Sequence, residues 1–271
     1  MKALLDGRPG DAVALDSRGL AYGDGVFRTL LVVDGAALHV DDHLAALARD
    51  AQRLDLQMPS PALLLADTRI LAAGQARAVV KWLLVRRSEG RGYRPATRAA
   101  TRIVLRSPAP RYEGDPWRQG IVADWSTLTL GIQPALAGVK HLNRLEQVLA
   151  SRELGAGIDE RLMCDHDGRV IGGTRSNLFW VTDGVLCTPR LDRCGIAGTM
   201  RARLLQLARG LGVDVRELEA PRDALLGAQE AFVSNALIGL WPLRRVGSRD
   251  YPAPGVLTQR LMQQLRHPSL N

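Results

Sequence analysis

The sequence predicts an α+β protein of two domains, with strands and helices in both. Segments with helical hydrophobic periodicity alternate with short apolar runs typical of strands. A stretch rich in proline and glycine, residues 107–120, separates the two groups of elements. The 271 residues are enough for two domains with buried cores. We therefore expect an N-terminal domain at residues 1–110, an interdomain linker at 111–120 and a larger C-terminal domain at 121–271.

The N-terminal domain is predicted to contain one hairpin, two helices and two further strands. The hairpin turns at Asp34-Gly35, a dipeptide that favours tight turns between antiparallel strands. Apolar residues at helical spacing follow, with Asp41 and Asp42 as candidate N-caps. The expected elements are a hairpin at 30–39, helices at 40–54 and 63–71, and strands at 78–86 and 101–106.

The C-terminal domain is also predicted to contain both strands and helices. Two more Asp-Gly dipeptides, at Asp167 and Asp183, indicate hairpin turns between strands. The segment 199–211 has one apolar face and is typical of an amphipathic helix. The expected elements are strands at 121–125, 169–171, 177–181 and 231–233, and helices at 142–154, 199–211 and 256–265.

Composition excludes several classes of protein. Hydrophobic residues make up 46% and charged residues 24% of the chain, a balance too apolar for a disordered protein. No apolar run reaches the ~18 residues of a membrane-spanning helix. Residues 1–10 lack the apolar core of a signal peptide, so we expect a cytoplasmic protein. The three cysteines have neither zinc-site spacing nor the even count of a disulfide framework.

The net charge of +8 raises the question of a nucleic-acid partner. Only Lys2, Lys81 and Lys140 are lysines, so 33 of the 36 basic residues are arginines. These arginines are spread along the chain without interleaved aromatic residues. We therefore expect no nucleic-acid binding and no membrane partner. Two explanations of the charge stay open: a genome-wide preference for arginine, or a site for anionic small molecules.

Lys140 is the first candidate for chemistry. It lies at a strand-to-helix junction, and a lysine in apolar surroundings or near other cations becomes a nucleophile or a general base. Such a lysine can form a Schiff base. The alternative is an exposed lysine at the start of a helix.

A second candidate is the segment CGIAGTMR, residues 194–201, in which a glycine-bearing turn enters a helix. The start of a helix presents unpaired N–H groups and the positive end of its dipole, which suits a phosphate. Gly195 and Gly198 would allow the backbone to approach the anion, and the Thr199 hydroxyl could donate to it. Ser234 and Asn235, directly after an apolar strand, are further candidates. Many helices begin in this way without binding a ligand.

A third candidate is the loop GRGY, residues 90–93, which follows Arg86 and Arg87. Arginines in a flexible glycine loop suit a substrate that carries carboxylates. The alternative is a solvated hairpin tip.

Together these segments resemble one known family. YGDGVF, GRGY, GVKHLNRLEQVLA, GTRSNLFWV, CGIAGTMR and SNAL occur in this order in the class IV, or fold-type IV, pyridoxal 5'-phosphate (PLP) enzymes. Within them the chain is most similar to the aminodeoxychorismate lyases. The resemblance implies the D-amino-acid aminotransferase-like fold, with a small N-terminal domain and a larger C-terminal domain built on a barrel-like sheet. It also implies a homodimer.

The resemblance assigns roles to individual residues. Lys140 is expected to bind PLP as a Schiff base and to transfer protons. Arg91 and Tyr93 are expected beside the carboxylates of the substrate, aminodeoxychorismate, which is converted to 4-aminobenzoate and pyruvate for folate synthesis. No metal is expected. The residues expected to bind the cofactor non-covalently are Asn177, Gly198, Thr199, Met200, Ser234 and Asn235.

Two positions depart from the family pattern. The family has a glutamate for the pyridine nitrogen five residues before Asn177, where this chain has Gly172. It also has an arginine for the cofactor phosphate where this chain has Ala46, and Arg49, one turn further along the helix, is a candidate substitute. Since aromatisation drives the lyase reaction, a weaker electron sink is sufficient for it. A class IV aminotransferase and a descendant without cofactor chemistry are the alternatives.

Overall fold

The computed structural model describes Lys2–Ser269 and divides the chain into two units, each with its own core. The first unit spans Met1–Pro110 and Val139–Asn143, and the second spans Arg111–Gly138 and Arg144–Asn271. The short segment that carries Lys140 therefore belongs to the first unit, although it was expected in the C-terminal domain.

The first unit is a six-stranded antiparallel sheet with its two longer helices packed on one face. The strand order is β2-β1-β6-β5-β3-β4. Apolar side chains of the central strands pack against the two longer helices and form one buried cluster around Trp82. The elements are β1 (Lys2–Leu5), β2 (Arg8–Pro9), α1 (Arg18–Tyr22), β3 (Gly25–Val33), β4 (Ala36–Ala37), α2 (Val40–Arg53), α3 (Pro61–Ala72), β5 (Arg77–Arg86) and β6 (Ala100–Pro108).

Alternation along β3 determines which of its side chains face the helices. Val26, Leu30 and Val32 lie in the apolar cluster with α2 and α3, so Arg28 on the same face also points into the core. Phe27 and Thr29 lie on the opposite face of the sheet. Thr29 is paired with Lys81 of β5 in the register of the two strands.

The second unit contains nine strands in one mixed sheet. Eight follow the order β12-β11-β10-β13-β14-β7-β8-β9, and β15 pairs with β14. The sheet curls, since β9 at one end also lies against β10. The elements are α4 (Pro116–Gln119), β7 (Ile121–Leu130), α5 (Leu145–Ser151), β8 (Glu160–Asp165), β9 (Val170–Gly173), β10 (Asn177–Thr182), β11 (Val185–Pro189), α6 (Thr199–Gly210), β12 (Val215–Leu218), α7 (Arg222–Leu226), β13 (Glu230–Asn235), β14 (Gly239–Val246), β15 (Arg249–Asp250) and α8 (Val256–Leu265).

Both faces of this sheet are covered by apolar side chains. Phe179 of β10 and Phe232 of β13 stack with their ring centres 4.9 Å apart and pack against α6 and α8. Leu178 and Trp180 alternate with them and belong to the cluster on the other face. The start of α6 is thereby fixed against the middle of the sheet.

Several predicted boundaries differ from the observed ones. The segment expected as a linker, 111–120, includes α4, and Trp117 donates from its ring nitrogen to the carbonyl oxygen of Ile238 at 2.8 Å. The helix expected at 142–154 is shorter, because residues up to Asn143 pair with the first unit. Asp41 and Asp42 are not N-caps: His39 takes that position, and the two acids lie in the first turn of α2.

Candidate active site

Lys140 is fixed by the backbone around it. The N–H of Phe27 donates to the carbonyl oxygen of Lys140 at 3.0 Å, and the N–H of Leu142 donates to the carbonyl oxygen of Gly25 at 3.0 Å. The segment therefore runs as a short extra strand along the start of β3. The Lys140 ammonium nitrogen lies 4.6 Å from the centre of the Phe27 ring, within cation–π distance.

A buried ion pair lies on the other side of Lys140. Asp50 of α2 pairs with Arg28 of β3, and both side chains are almost completely buried. The second contact of the same Asp50 oxygen is the backbone N–H of Lys140, at 2.9 Å. Arg49, the predicted substitute for the phosphate arginine, is half-exposed and lies 3.3 Å from the other Asp50 oxygen. Ala46 is buried, and its carbonyl oxygen accepts from Arg28 at 3.1 Å.

A second lysine shares the Phe27 ring. The ammonium nitrogen of Lys81 lies 4.4 Å from the ring centre. Burial lowers the pKa of Lys81. No carboxylate among Lys2–Ser269 forms an ion pair with Lys81, so this face of the sheet carries positive charge suited to a substrate carboxylate.

His43 of α2 is buried in the core of the first unit, beside Trp82. Burial lowers its pKa to about 3, and the charges of Arg28, His39 and Lys140 contribute to this lowering in that order. His43 is therefore neutral at physiological pH and adds no charge beside Lys140.

The GRGY loop is held by Arg18. Its guanidinium donates to the carbonyl oxygens of Gly92 at 2.8 Å and Tyr93 at 2.9 Å, and it pairs with Asp24. The side chains of Arg91 and Tyr93, the predicted substrate ligands, are both exposed, and the Tyr93 ring packs on Tyr22 with their centres 5.4 Å apart.

In the second unit, Asn177 fixes the turn that enters α6. Its side-chain oxygen accepts from the N–H of Gly198 at 3.2 Å, and its nitrogen donates to the carbonyl oxygen of Ile196 at 2.7 Å. A Cβ on Gly198 would collide with that oxygen, so any other residue would have to displace the Asn177 side chain. The first amides of α6, from Thr199 and Met200, follow directly, and no acidic residue lies in this first turn. This arrangement suits an anion.

Ser234 and Asn235 differ in their surroundings. Ser234 is opposite Asn177 in the register of β10 and β13, and it is completely buried. Its hydroxyl has no hydrogen-bond partner among the residues that the structure describes. The Asn235 side chain, by contrast, accepts from two amides of the next turn and donates to Arg175. The amides at the start of α6 therefore suit a phosphate, and Ser234 is a buried hydroxyl without a partner opposite Asn177.

Gly172 lies on β9 opposite Met163. A Cβ there would lie 3.0 Å from the carbonyl oxygen of Ser176. Glu160 of β8 faces Gly173 instead, which alternates with Gly172 along the strand. Glu160 accepts hydrogen bonds from Thr174 and Ser176, so it closes the turn into β10. It therefore does not replace the missing glutamate.

The family assignment rests on most of the chain. The model of the class IV aminotransferases matches residues 25–246, which include every candidate described above. This chain belongs to the class IV aminotransferase family. The fold-type IV architecture predicted from the motifs is confirmed by the solved structures that it resembles.

Two relatives and one solved structure are similar to this chain over nearly its whole length. The aminodeoxychorismate lyase of Vibrio harveyi is 31% identical over 96% of this chain and 98% of its own. The D-alanine aminotransferase of Bacillus licheniformis is 25% identical over 100% and 98%. The crystal structure of 4-amino-4-deoxychorismate lyase from Pseudomonas aeruginosa is 41% identical over 97% and 98%, with a TM-score of 0.93.

Within Lys2–Ser269 no group of three or more His, Cys, Asp or Glu side chains is arranged to bind a metal. Over the same residues, every helix is too short or too polar to cross a bilayer.

Sequence reasoning identified Lys140 and the turn at Gly198 but missed Arg28, Asp50 and Lys81. The signal for the first two was present: each is a charged residue in the apolar face of its element. Two such residues in neighbouring elements indicate a buried ion pair. Nothing in the sequence pairs either of them with Lys140.

Proposed function

We propose that this protein is a PLP-dependent lyase that converts 4-amino-4-deoxychorismate to 4-aminobenzoate and pyruvate, a step of folate synthesis. The observation that carries the proposal is the fixed position of Lys140, held at both backbone groups with its amine over Phe27. The lyase relatives, at 31% and 41% identity, support the choice of reaction.

Lys140 would bind PLP covalently through its amine. The backbone of Gly198, Thr199 and Met200 would hold the phosphate, with Ser234 and Asn177 beside it. Arg49 and Asn235 are also proposed to bind PLP, as the sequence predicts. PLP, when bound, supplies an electron sink for the pair left by a departing proton.

Lys140 has a second role in the proposed reaction, as the base. Once free, its amine would take the proton from the ring carbon that bears the substrate's amino group while the bond between the ring and the enolpyruvyl oxygen breaks. The same amine would then return that proton to the methylene carbon of the released enolpyruvate, which becomes pyruvate. The ring becomes aromatic, so the reaction is driven by the product. The substrate carries two carboxylates, for which Arg91, Tyr93 and Lys81 are the candidate ligands.

An aminotransferase is the second candidate, favoured by the D-alanine aminotransferase relative. Transamination requires proton return to the cofactor and benefits from a protonated pyridine nitrogen. Because Gly172 offers no carboxylate, this chain is less suited to that reaction than to an elimination that ends in an aromatic product.

The first experiment is the visible absorption spectrum of the purified protein with added PLP, before and after borohydride. We expect an absorption band that borohydride abolishes and a reduced adduct that maps to Lys140. Lys140→Ala should lose both, whereas the matched variant Lys81→Ala should retain the adduct. An unmodified Lys140 would eliminate the lyase and favour a descendant without cofactor chemistry.

The second experiment measures products. Aminodeoxychorismate should yield 4-aminobenzoate and pyruvate in equal amounts. Faster transfer of an amino group from D-alanine or a branched-chain amino acid to 2-oxoglutarate would establish the aminotransferase instead. We also expect a homodimer, to be measured by light scattering, and a cytoplasmic location, to be measured by cell fractionation.

A further inference from the structure

Asp50 is a carboxylate buried inside the first unit that contacts the backbone of Lys140. The residue has no exposed surface. One oxygen pairs with Arg28 and accepts the Lys140 N–H at 2.9 Å, and the other lies 3.3 Å from Arg49. Hydrogen bonds to a charged acceptor in a dry environment are stronger and more directional than neutral ones.

Arg28 holds Asp50 in this orientation. The Arg28 side chain extends from β3 into the core, where it also donates to the carbonyl oxygen of Ala46 at 3.1 Å. A buried ion pair is often no more stable than apolar residues of the same size. Stability alone therefore does not account for two charges here, whereas a geometric role at Lys140 does.

Lys140 is consequently fixed on both sides of its Cα. Its N–H is bound by Asp50, and its carbonyl oxygen accepts from the N–H of Phe27 at 3.0 Å. With both peptide groups fixed, only side-chain torsions determine where the amine lies. Small errors in the position of a reacting group reduce rates severely.

We propose that Asp50, oriented by Arg28, is a positioning residue for Lys140. The inference rests on the proposed function, because it concerns the lysine that would bind PLP. Position 46 is alanine in this chain, where the family has an arginine. The guanidinium that contacts the Ala46 carbonyl oxygen is that of Arg28 from β3, and it pairs with Asp50.

The direct test uses protein labelled with 15N-lysine, whose spectrum contains only the amides of Lys2, Lys81 and Lys140. In the wild type we expect the Lys140 amide to be protected from hydrogen exchange. Two double variants without either charge isolate the acceptor: Arg28→Leu with Asp50→Asn keeps an oxygen for Lys140, and Arg28→Leu with Asp50→Leu removes it. The second should exchange at Lys140 about tenfold faster than the first.

The Lys81 amide, in the middle of β5, is the internal control for folding and should exchange equally in both variants. An unprotected Lys140 amide in the wild type would overturn the proposal without any variant. So would equal exchange at Lys140 in the two double variants. If neither folds, Asp50→Glu keeps the charge pair but displaces the oxygen, and an unchanged Lys140 amide there would also overturn it.

The consequence for chemistry is measured separately. PLP should attach to Lys140, as trapped by borohydride, about tenfold more slowly in the double variant that carries Asp50→Leu than in the one that carries Asp50→Asn. Equal rates would overturn the positioning role. If wild-type protein takes up no PLP, the proposed function fails but the positioning role can still be tested. The rate of reductive methylation by formaldehyde at Lys140, relative to Lys81, then replaces the rate of PLP attachment as the measurement. The same difference is expected, and equal ratios would overturn the role.

Discussion

The N–H of Phe27 donates to the carbonyl oxygen of Lys140 at 3.0 Å while the Lys140 ammonium lies 4.6 Å from the centre of the Phe27 ring. One residue of β3 thus fixes both the backbone and the charge of the lysine. The centre of the same ring also lies 4.4 Å from the ammonium of Lys81, so two of the three lysines in the chain contact the Phe27 ring.

Phe27→Leu should lower the pKa of Lys81 further. Burial already lowers that pKa, and the ring opposes this by stabilising the cation with about 0.5–1 kcal/mol, so loss of the ring should move the pKa of Lys81 further down. Reductive methylation with 13C-formaldehyde gives one resolvable signal set per lysine, and its titration measures the shift. An unchanged Lys81 titration would show that the ring does not stabilise the cation.

Gly198→Ala should weaken PLP binding at least about tenfold. The new methyl group would collide with the Asn177 side-chain oxygen and displace the turn into α6. Gly210→Ala is the matched control, because a Cβ at the other end of the same helix has no neighbour within 4 Å. Fluorescence titration with PLP measures both, and equal affinities would contradict a role for this turn.

Ser234→Ala should weaken PLP binding without lowering the stability of the cofactor-free protein. Its buried hydroxyl has no partner among the described residues, so removing it should leave the melting temperature without cofactor unchanged or raised. PLP binding should weaken by about fivefold to tenfold, because a donor to the phosphate is lost. Calorimetry with and without PLP measures both effects. A lower melting temperature of the cofactor-free variant would indicate a structural hydroxyl.

Gly172→Glu tests the missing carboxylate. Any side chain here must displace the Ser176 carbonyl oxygen, which would lie 3.0 Å from the new Cβ, so Gly172→Ala is the control for that steric cost. We expect the glutamate variant to bind PLP more tightly than the alanine variant. Equal or weaker binding would mean that the pyridine nitrogen is not accessible from this position.

His43→Gln should make the free energy of unfolding less dependent on pH under acidic conditions. The native pKa of about 3 lies below that of an unfolded histidine, about 6.5, so unfolding takes up a proton between these values. The stability from neutral His43 is complete above the unfolded pKa and is lost as the pH falls, at about 1.4 kcal/mol per pH unit. Urea unfolding from pH 4 to 6 should therefore show a shallower slope in the variant. Identical slopes would contradict the burial of a neutral His43.

Local patterns determined most elements of the fold. The helix predicted at 199–211 is observed as Thr199–Gly210, and the hairpin turn at Asp34-Gly35 lies between β3 and β4, because periodicity and Asp-Gly turns act over a few residues. The residues 139–143 were not predictable in this way. Their place in the first unit depends on pairing with β3, more than a hundred residues earlier in the chain.

The sequence by itself predicted the α+β class and the family, and it proposed two parts of the candidate site: Lys140 and the turn at Gly198. These are carried by contiguous motifs, in which neighbouring residues suffice to specify the chemistry. Only the tertiary structure decided that Asp50, paired with Arg28, accepts from the Lys140 N–H, and that Ser234 lies opposite Asn177. The physical reason is that burial and hydrogen-bond partners depend on which elements pack together, and a charge on an apolar face does not name its partner.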